Sequence, residues 1–172
     1  EAGFRTCIDV VSEDSDRFQR LVFPALKHTD ICIMNEFEAG RCTGLELRPE
    51  GAIHWEQATT AAAALLDGGV REVAIIHFPE GAIARTRDGT LLRQGSVRMP
   101  DHAIEGATGA GDAFAAGVLY VLHDEGPLET ALRYGVCAAA SCLTKAGTSS
   151  GILPMERALA LGESHGFRDI GT

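Results

Sequence analysis

Short apolar runs alternate with amphipathic stretches along this chain of 172 residues, and that alternation limits its fold more than any other feature. Residues 4–11, 30–34 and 72–77 are apolar and partly β-branched, which is typical of buried strands. Apolar residues recur at helical spacing elsewhere, and they predict helices over 16–27, 36–41, 55–66, 111–124, 127–143 and 154–164. Strands that alternate with helices predict an α/β fold, with a doubly wound, mostly parallel sheet flanked by helices.

Turn residues mark the limits of several of these elements. Asp88-Gly89 is a favoured two-residue turn, so segments 81–87 and 91–97 are predicted to form a hairpin. Pro127 and Pro154 suit the first turns of the two helices that they precede. Neither an internal repeat nor a linker interrupts the pattern, and the length favours a single domain over residues 1–172.

Composition excludes several classes of function. The 15 basic and 24 acidic residues give a net charge of −9, which argues against binding nucleic acid through bulk electrostatics. No apolar run in the sequence has the length that a membrane span requires. The five cysteines form no C-x-x-C pair, which predicts free, buried thiols in a reducing cytoplasm.

Residues 106–117 read Gly-Ala-Thr-Gly-Ala-Gly-Asp-Ala-Phe-Ala-Ala-Gly, and they carry the strongest functional signal. A small-residue turn that opens a helix leaves backbone N–H groups free, and the helix dipole adds positive charge there. Phosphate is the usual anion at such a point. A carboxylate beside it, Asp112, has a natural task in taking a proton from a hydroxyl that attacks phosphorus. The alternative is that Asp112 is an ordinary helix-cap or dipole partner.

A second polar cluster follows the predicted strand 30–34. Asn35 and Glu38 fall at the carboxyl end of this strand, where ligands bind in parallel α/β sheets. The alternative is that Asn35 caps a helix and Glu38 is a solvated helix residue.

The stretch Thr108–Phe114 together with Ala116-Gly117 resembles the second signature of the ribokinase-like (PfkB-type) carbohydrate kinases. The resemblance implies that Gly109, Ala110 and Gly111 form an anion hole and that Asp112 is the catalytic base. It also implies that Thr108 contacts the nucleotide. The family usually has Asp-Thr where this chain has Gly106-Ala107, which makes the family's activating monovalent cation doubtful here.

The upstream segment 35–39 resembles the family's Asn-x-x-Glu motif, which implies that Asn35 lies near the phosphates. Glu38 is then expected to hold magnesium, mostly through water. Gly147 matches the loop that closes the family's nucleotide pocket. His77-Phe78-Pro79-Glu80-Gly81 departs from the family's Thr-x-Gly-x-x-Gly turn and keeps only its last glycine.

The resemblance implies an ATP-dependent kinase of a sugar hydroxyl, with ATP and Mg²⁺ as cofactors. A ribokinase-like kinase of a nucleoside or vitamin precursor and a non-catalytic nucleotide-binding homologue remain alternatives. The match covers the later part of a typical member, so we expect a fragment without the N-terminal part and lid. An exposed first strand then predicts a homodimer, or packing through that edge.

Overall fold

A computed structural model describes residues 3–12 and 17–171 of the chain. Within this part, five strands form one sheet in the order β1-β2-β3-β4-β5. They are β1 (Cys7–Asp9), β2 (Ile31–Asn35), β3 (Val73–Phe78), β4 (Gly81–Thr86) and β5 (Leu91–Gly95). The first three strands pair in parallel, with Ile8 opposite Cys32 and Asn35 opposite His77. A two-residue connection makes β3 and β4 antiparallel neighbours, so the sheet is mixed.

Six α-helices are present in the same part of the chain: α1 (Arg17–Val22), α2 (Glu36–Thr43), α3 (Trp55–Asp67), α4 (Ala110–His123), α5 (Leu128–Cys142) and α6 (Met155–His165). Short 3₁₀ turns cover Phe23–His28, Pro49–Gly51 and Asp101–Ala103. Strands and helices alternate from β1 to β3, as the sequence predicts, and the α/β fold with its flanking helices is confirmed.

The described residues group into two compact units. The first extends to Phe78 and includes Ile83–Leu92; the second consists of Pro79–Ala82 and the residues from Arg93 onward. In the first unit, α2 and α3 pack on one face of the sheet around a core that includes Cys32, Met34, Leu65, Ile76 and Phe78. In the second unit, α4 packs along α5, which also contacts α6. The prediction of a single domain remains a prediction.

Glycines allow the close approach of α4 and α5. A Cβ at Gly117 on α4 would lie 2.7 Å from the Tyr134 carbonyl oxygen of α5. A Cβ at Gly135 on α5 would lie 2.8 Å from side-chain atoms of Phe114 and Val118. The two helices therefore pack with backbone close to backbone, and this packing holds the first turn of α4 in place.

The prediction of a buried strand over residues 4–11 is wrong. Only Cys7–Asp9 is a strand, and both Cys7 and Asp9 are exposed. These side chains are exposed because β1 lies at the edge of the described sheet and pairs with β2 alone. Phe4 and Val11, which the apolar pattern would bury, are 84% and 88% exposed.

Three boundaries also differ from the predictions. Asp16, the predicted start of the first helix, lies outside the described residues, and the helical turns after Val22 are 3₁₀ where Pro24 removes a backbone donor. The loop between β4 and β5 has four residues, Arg87–Thr90, rather than two, and a hydrogen bond from Thr86 N–H to the Thr90 carbonyl at 3.0 Å closes it. Gly89 (φ +94°) takes the left-handed position that this longer turn requires. Pro127 and Pro154 are the N-cap residues of α5 and α6, directly before the first turns.

Candidate active site

Asn35 and Glu38 form a capping box at the start of α2. The Asn35 Oδ1 atom accepts from Glu38 N–H at 2.9 Å, and Glu38 Oε2 accepts from Asn35 N–H at 2.9 Å. The box fixes the chain where β2 ends and α2 begins, at the carboxyl end of a parallel strand. Glu38 is only 3% exposed, so the expectation of a solvated helix residue is wrong for it. Asn35 does cap the helix, which gives it a structural role whatever else it does.

Ser12 joins this pair and was not singled out from the sequence. Its hydroxyl donates to Glu38 Oε1 at 2.7 Å and accepts from Asn35 Nδ2 at 3.1 Å. Twenty-three residues separate Ser12 from Asn35, and only the pairing of β1 with β2 brings them together. Burial and, secondarily, the negative charge of Glu38 raise the pKa of the nearby Cys42 thiol to about 11.

The donor set of this cluster fits a hydrated magnesium ion better than a directly bound one. Each Glu38 oxygen already accepts one hydrogen bond from the protein. A carboxylate oxygen has a second lone pair, so each Glu38 oxygen keeps the capacity to accept a hydrogen bond from a metal-bound water. Mg²⁺ retains most of its waters when it binds proteins. The cluster can therefore hold the ion through water.

Gly109 sets the geometry at the start of α4. It is the N-cap residue and adopts a left-handed conformation, with φ +85° and ψ 0°. The first helical hydrogen bond runs from Ala113 N–H to the Gly109 carbonyl at 2.9 Å. The N–H groups of Gly111 and Asp112 precede this bond, so they lie in the turn whose donors have no partner within the helix. Asp112 is exposed in the same turn.

The loop before α4 lies against the loop that follows α5. Glu105 N–H donates to the Leu143 carbonyl at 2.9 Å. A Cβ on Gly106 would lie 3.1 Å from Ala146 Cα, and a Cβ on Gly109 would lie only 2.3 Å from the Thr148 carbonyl oxygen. The exposed pair Lys145 and Glu105 adds an ion pair at 2.8 Å. The helix start and the loop that carries Gly147 are thus one packed structure.

Comparisons with known proteins identify the family of this chain. A family model described as pfkB family carbohydrate kinase matches residues 2–155. The chain belongs to this family. A ribokinase from Haemophilus influenzae is 32% identical over 124 residues, which cover 72% of this chain and 37% of the relative. This pfkB-family chain thus spans well under half of that relative's length.

Solved structures show the same fold. An Arabidopsis thaliana ribokinase complexed with ribose and ATP superimposes with a TM-score of 0.75 at 24% identity, covering 92% of this chain and 47% of that one. An Escherichia coli protein assigned to ribokinase II, in complex with ATP and Mg²⁺, superimposes with a TM-score of 0.68 at 20% identity. That match covers 84% of this chain and 42% of the other.

Each unit of the pfkB-family chain brings some predicted site residues together. The first unit joins Asn35 to Glu38. In the second, Gly109, which follows Thr108, lies against Thr148, one residue beyond Gly147. Ala110, Gly111 and Asp112 form the first turn of α4. The segment 106–112 does not directly follow a strand, because a 3₁₀ turn at Asp101–Ala103 and an extended stretch precede it.

Two further observations complete the description. No described helix combines the length and the apolar character needed to cross a bilayer. All five cysteines carry free thiols; four are buried and Cys7 is exposed.

Proposed function

We propose that this chain carries the phosphoryl-transfer machinery of an ATP-dependent sugar kinase. The observation that carries the proposal is the first turn of α4, where a left-handed glycine N-cap is followed by an exposed carboxylate and by the N–H groups of Gly111 and Asp112, which precede the first hydrogen bond of the helix. Membership of the pfkB family and the fold shared with an ATP-bound ribokinase support it.

Asp112 is the general base of the proposed reaction. Its carboxylate takes the proton of a sugar hydroxyl while that oxygen attacks the γ-phosphorus of ATP. The new oxygen–phosphorus bond forms as the bond to the bridging β,γ-oxygen breaks, and ADP leaves with the electron pair. An exposed carboxylate at the start of a helix can receive this proton and return it to solvent.

Gly109, Ala110 and Gly111 form the anion hole. Their backbone, with the positive end of the α4 dipole, stabilises negative charge on the transferred phosphoryl group. Thr108 and Gly147 belong to the two packed loops beside this turn. We propose that both residues contact the nucleotide. Side chains are nearly absent from the hole, so a phosphate group can approach the backbone closely.

Asn35 and Glu38 hold hydrated Mg²⁺ on the nucleotide. When bound, this ion neutralises charge on the β- and γ-phosphates. Ser12 fixes the orientation of both side chains. Gly106-Ala107 offers no side-chain oxygen, and a side chain at 106 would crowd Ala146, so we propose that catalysis does not depend on a monovalent cation.

The identity of the molecule that accepts the phosphoryl group distinguishes the proposed sugar kinase from its alternatives. The full-length protein is incubated with MgATP and, in turn, with D-ribose, D-fructose, a nucleoside and a vitamin-precursor alcohol; ADP and the phosphorylated product are then measured. Transfer to a sugar supports the proposal. Transfer only to a nucleoside or vitamin precursor replaces the acceptor class, and ATP binding without any transfer supports a non-catalytic nucleotide-binding protein.

The edge of β1 motivates a proposal about assembly. β1 is the first strand of the sheet order, and the neighbouring Phe4, Val11 and Leu21 are exposed. An unpaired edge flanked by apolar side chains favours pairing with another chain, so we propose a homodimer or packing through this edge. Light scattering tests it, and a monomer at high concentration would contradict it. The free cysteines favour a reducing location such as the cytoplasm.

A further inference from the structure

Cys142 lies where the two loops of the proposed site meet. It is the last residue of α5 and is 1% exposed. Its Sγ lies 3.5 Å from the Thr108 carbonyl oxygen and 3.5 Å from the Thr148 carbonyl oxygen. One side chain thus contacts the residue before Gly109 and the residue after Gly147.

The backbone around this thiol leaves little room for the loops to move independently. The Thr148 carbonyl that faces Cys142 is also the group that a Cβ on Gly109 would strike at 2.3 Å. On the other side, a Cβ on Gly151 would lie 2.7 Å from the Cys142 carbonyl oxygen. Cys142 therefore lies between the N-cap of α4 and both ends of the second loop.

The chemistry of the thiol suits a donor. Burial and, secondarily, the negative charge of Asp112 raise the pKa of Cys142, which keeps the thiol protonated at neutral pH. A protonated thiol is a weak hydrogen-bond donor, and here it faces two carbonyl oxygens. The effect of Asp112 also indicates that the thiol lies near the proposed base.

We propose that Cys142 is a positioning residue for phosphoryl transfer, because its thiol sets the spacing between the loop that ends in the anion hole and the loop that carries Gly147. This inference rests on the proposed function of both loops. The thiol touches no reacting atom in this role. It couples two backbone segments, so that the nucleotide and the transferred phosphoryl group meet preset positions.

The kinetic test compares three variants. Cys142→Ala removes the donor and lets both loops relax; since a 1 Å misplacement can cost about 10²-fold in rate, a partial shift is expected to lower kcat/KM by about 10-fold. We expect this loss to appear in both KM for ATP and kcat. Cys142→Ser keeps a donor and is expected to stay within about 3-fold of wild type, a range small beside that loss.

Cys137→Ala is the matched control. Cys137 is also buried on α5, but its sulfur faces Gly162 of α6 rather than the two loops. This variant tests ordinary core truncation and is expected to leave kcat and KM within about 2-fold of wild type at a temperature where all variants are folded, since no site loop loses a contact. Equal losses in Cys137→Ala and Cys142→Ala, a silent Cys142→Ala, or failure of Cys142→Ser to restore activity would each overturn the inference.

A second measurement does not require kinase activity. Backbone hydrogen exchange, followed by mass spectrometry, is recorded for peptides that cover 104–112 and 143–151. We expect Cys142→Ala to speed exchange in both segments and Cys137→Ala in neither. If the protein transfers no phosphate but both segments loosen together, the proposed function fails and the coupling stands. If transfer occurs while exchange is unchanged, the positioning role fails alone.

Discussion

A methyl group at Gly109 is the smallest change that tests how the helix start is built. Gly109 combines a left-handed backbone (φ +85°) with a neighbour, the Thr148 carbonyl oxygen, only 2.3 Å from where a Cβ would stand. Real Cβ contacts stay beyond 3.0 Å, so Gly109→Ala requires a shift of at least 0.7 Å, the difference between these two distances. The atoms that it meets are backbone, so no rotamer change relieves the contact.

The size of the effect follows from two independent costs. An alanine in the left-handed region costs about 1–2 kcal/mol. Forcing extra volume into a packed site costs about 1–3 kcal/mol more. We therefore expect Gly109→Ala to lower the free energy of unfolding by roughly 2–5 kcal/mol, a large part of the roughly 5–15 kcal/mol of an ordinary domain.

Gly44→Ala separates the two costs. Gly44 has a similar backbone (φ +74°, ψ 14°) at the end of α2, but nothing lies within 4 Å of its Cβ position. Gly44→Ala should therefore lower the free energy of unfolding only by the cost of the left-handed backbone, about 1–2 kcal/mol. Urea unfolding followed by far-UV circular dichroism measures both variants. If Gly109→Ala loses no more stability than Gly44→Ala, the close contact between the two loops is refuted.

Three further predictions concern stability. Asn35→Ala removes both the cap and a partner of Ser12, and we expect it to lower the free energy of unfolding by about 1–2 kcal/mol, measured by urea denaturation. His77 has a pKa lowered to about 4 by burial, against an ordinary 6.5. As pH falls, His77 takes up a proton in the unfolded protein before it does so in the folded protein. Stability should therefore fall as pH drops from 6.5 towards 4, and His77→Gln should flatten this pH dependence of the melting temperature in thermal scans. The pKa of Asp30 is lowered, chiefly by the hydrogen bond from Thr6 N–H, so its contribution is present above its ordinary 3.8 and is lost as pH falls through the lower folded value. Asp30→Asn should therefore cost about 2 kcal/mol at pH 7, and this cost should shrink as the pH is lowered below 3.8.

Local sequence patterns were enough to predict most elements of the fold. The buried runs at 30–34 and 72–77 became β2 and β3, since strands covered on both faces are apolar throughout. The predicted helix ends at 41 and 66 lie within two residues of the ends of α2 and α3, which Gly44 and Gly68 cap. The first strand was misjudged because the apolar pattern carries no information about position in the sheet, and an edge strand exposes what a central strand buries.

The site was predictable only in part. Asn35, Glu38 and residues 108–112 stand in short motifs, and the resemblance of these motifs to those of the family singled them out. Ser12 and Cys142 lie in no motif, and their contacts with the candidate site residues Asn35 and Thr108 cross 23 and 34 positions of the chain. No local pattern encodes such a contact. Asn35 can cap the helix while Glu38 serves as a functional acid, because the same capping box buries and orients the Glu38 carboxylate.

Asp112→Asn tests the central claim most directly. The change removes the proposed base but keeps the shape of the first turn of α4. Asp124→Asn, at the exposed C-cap of the same helix, is the charge-matched control. In the full-length protein we expect Asp112→Asn to lower kcat by about 10²–10⁴-fold. We expect its Kd for MgATP and the kcat of Asp124→Asn to stay near those of wild type. An unchanged kcat in Asp112→Asn would contradict the account.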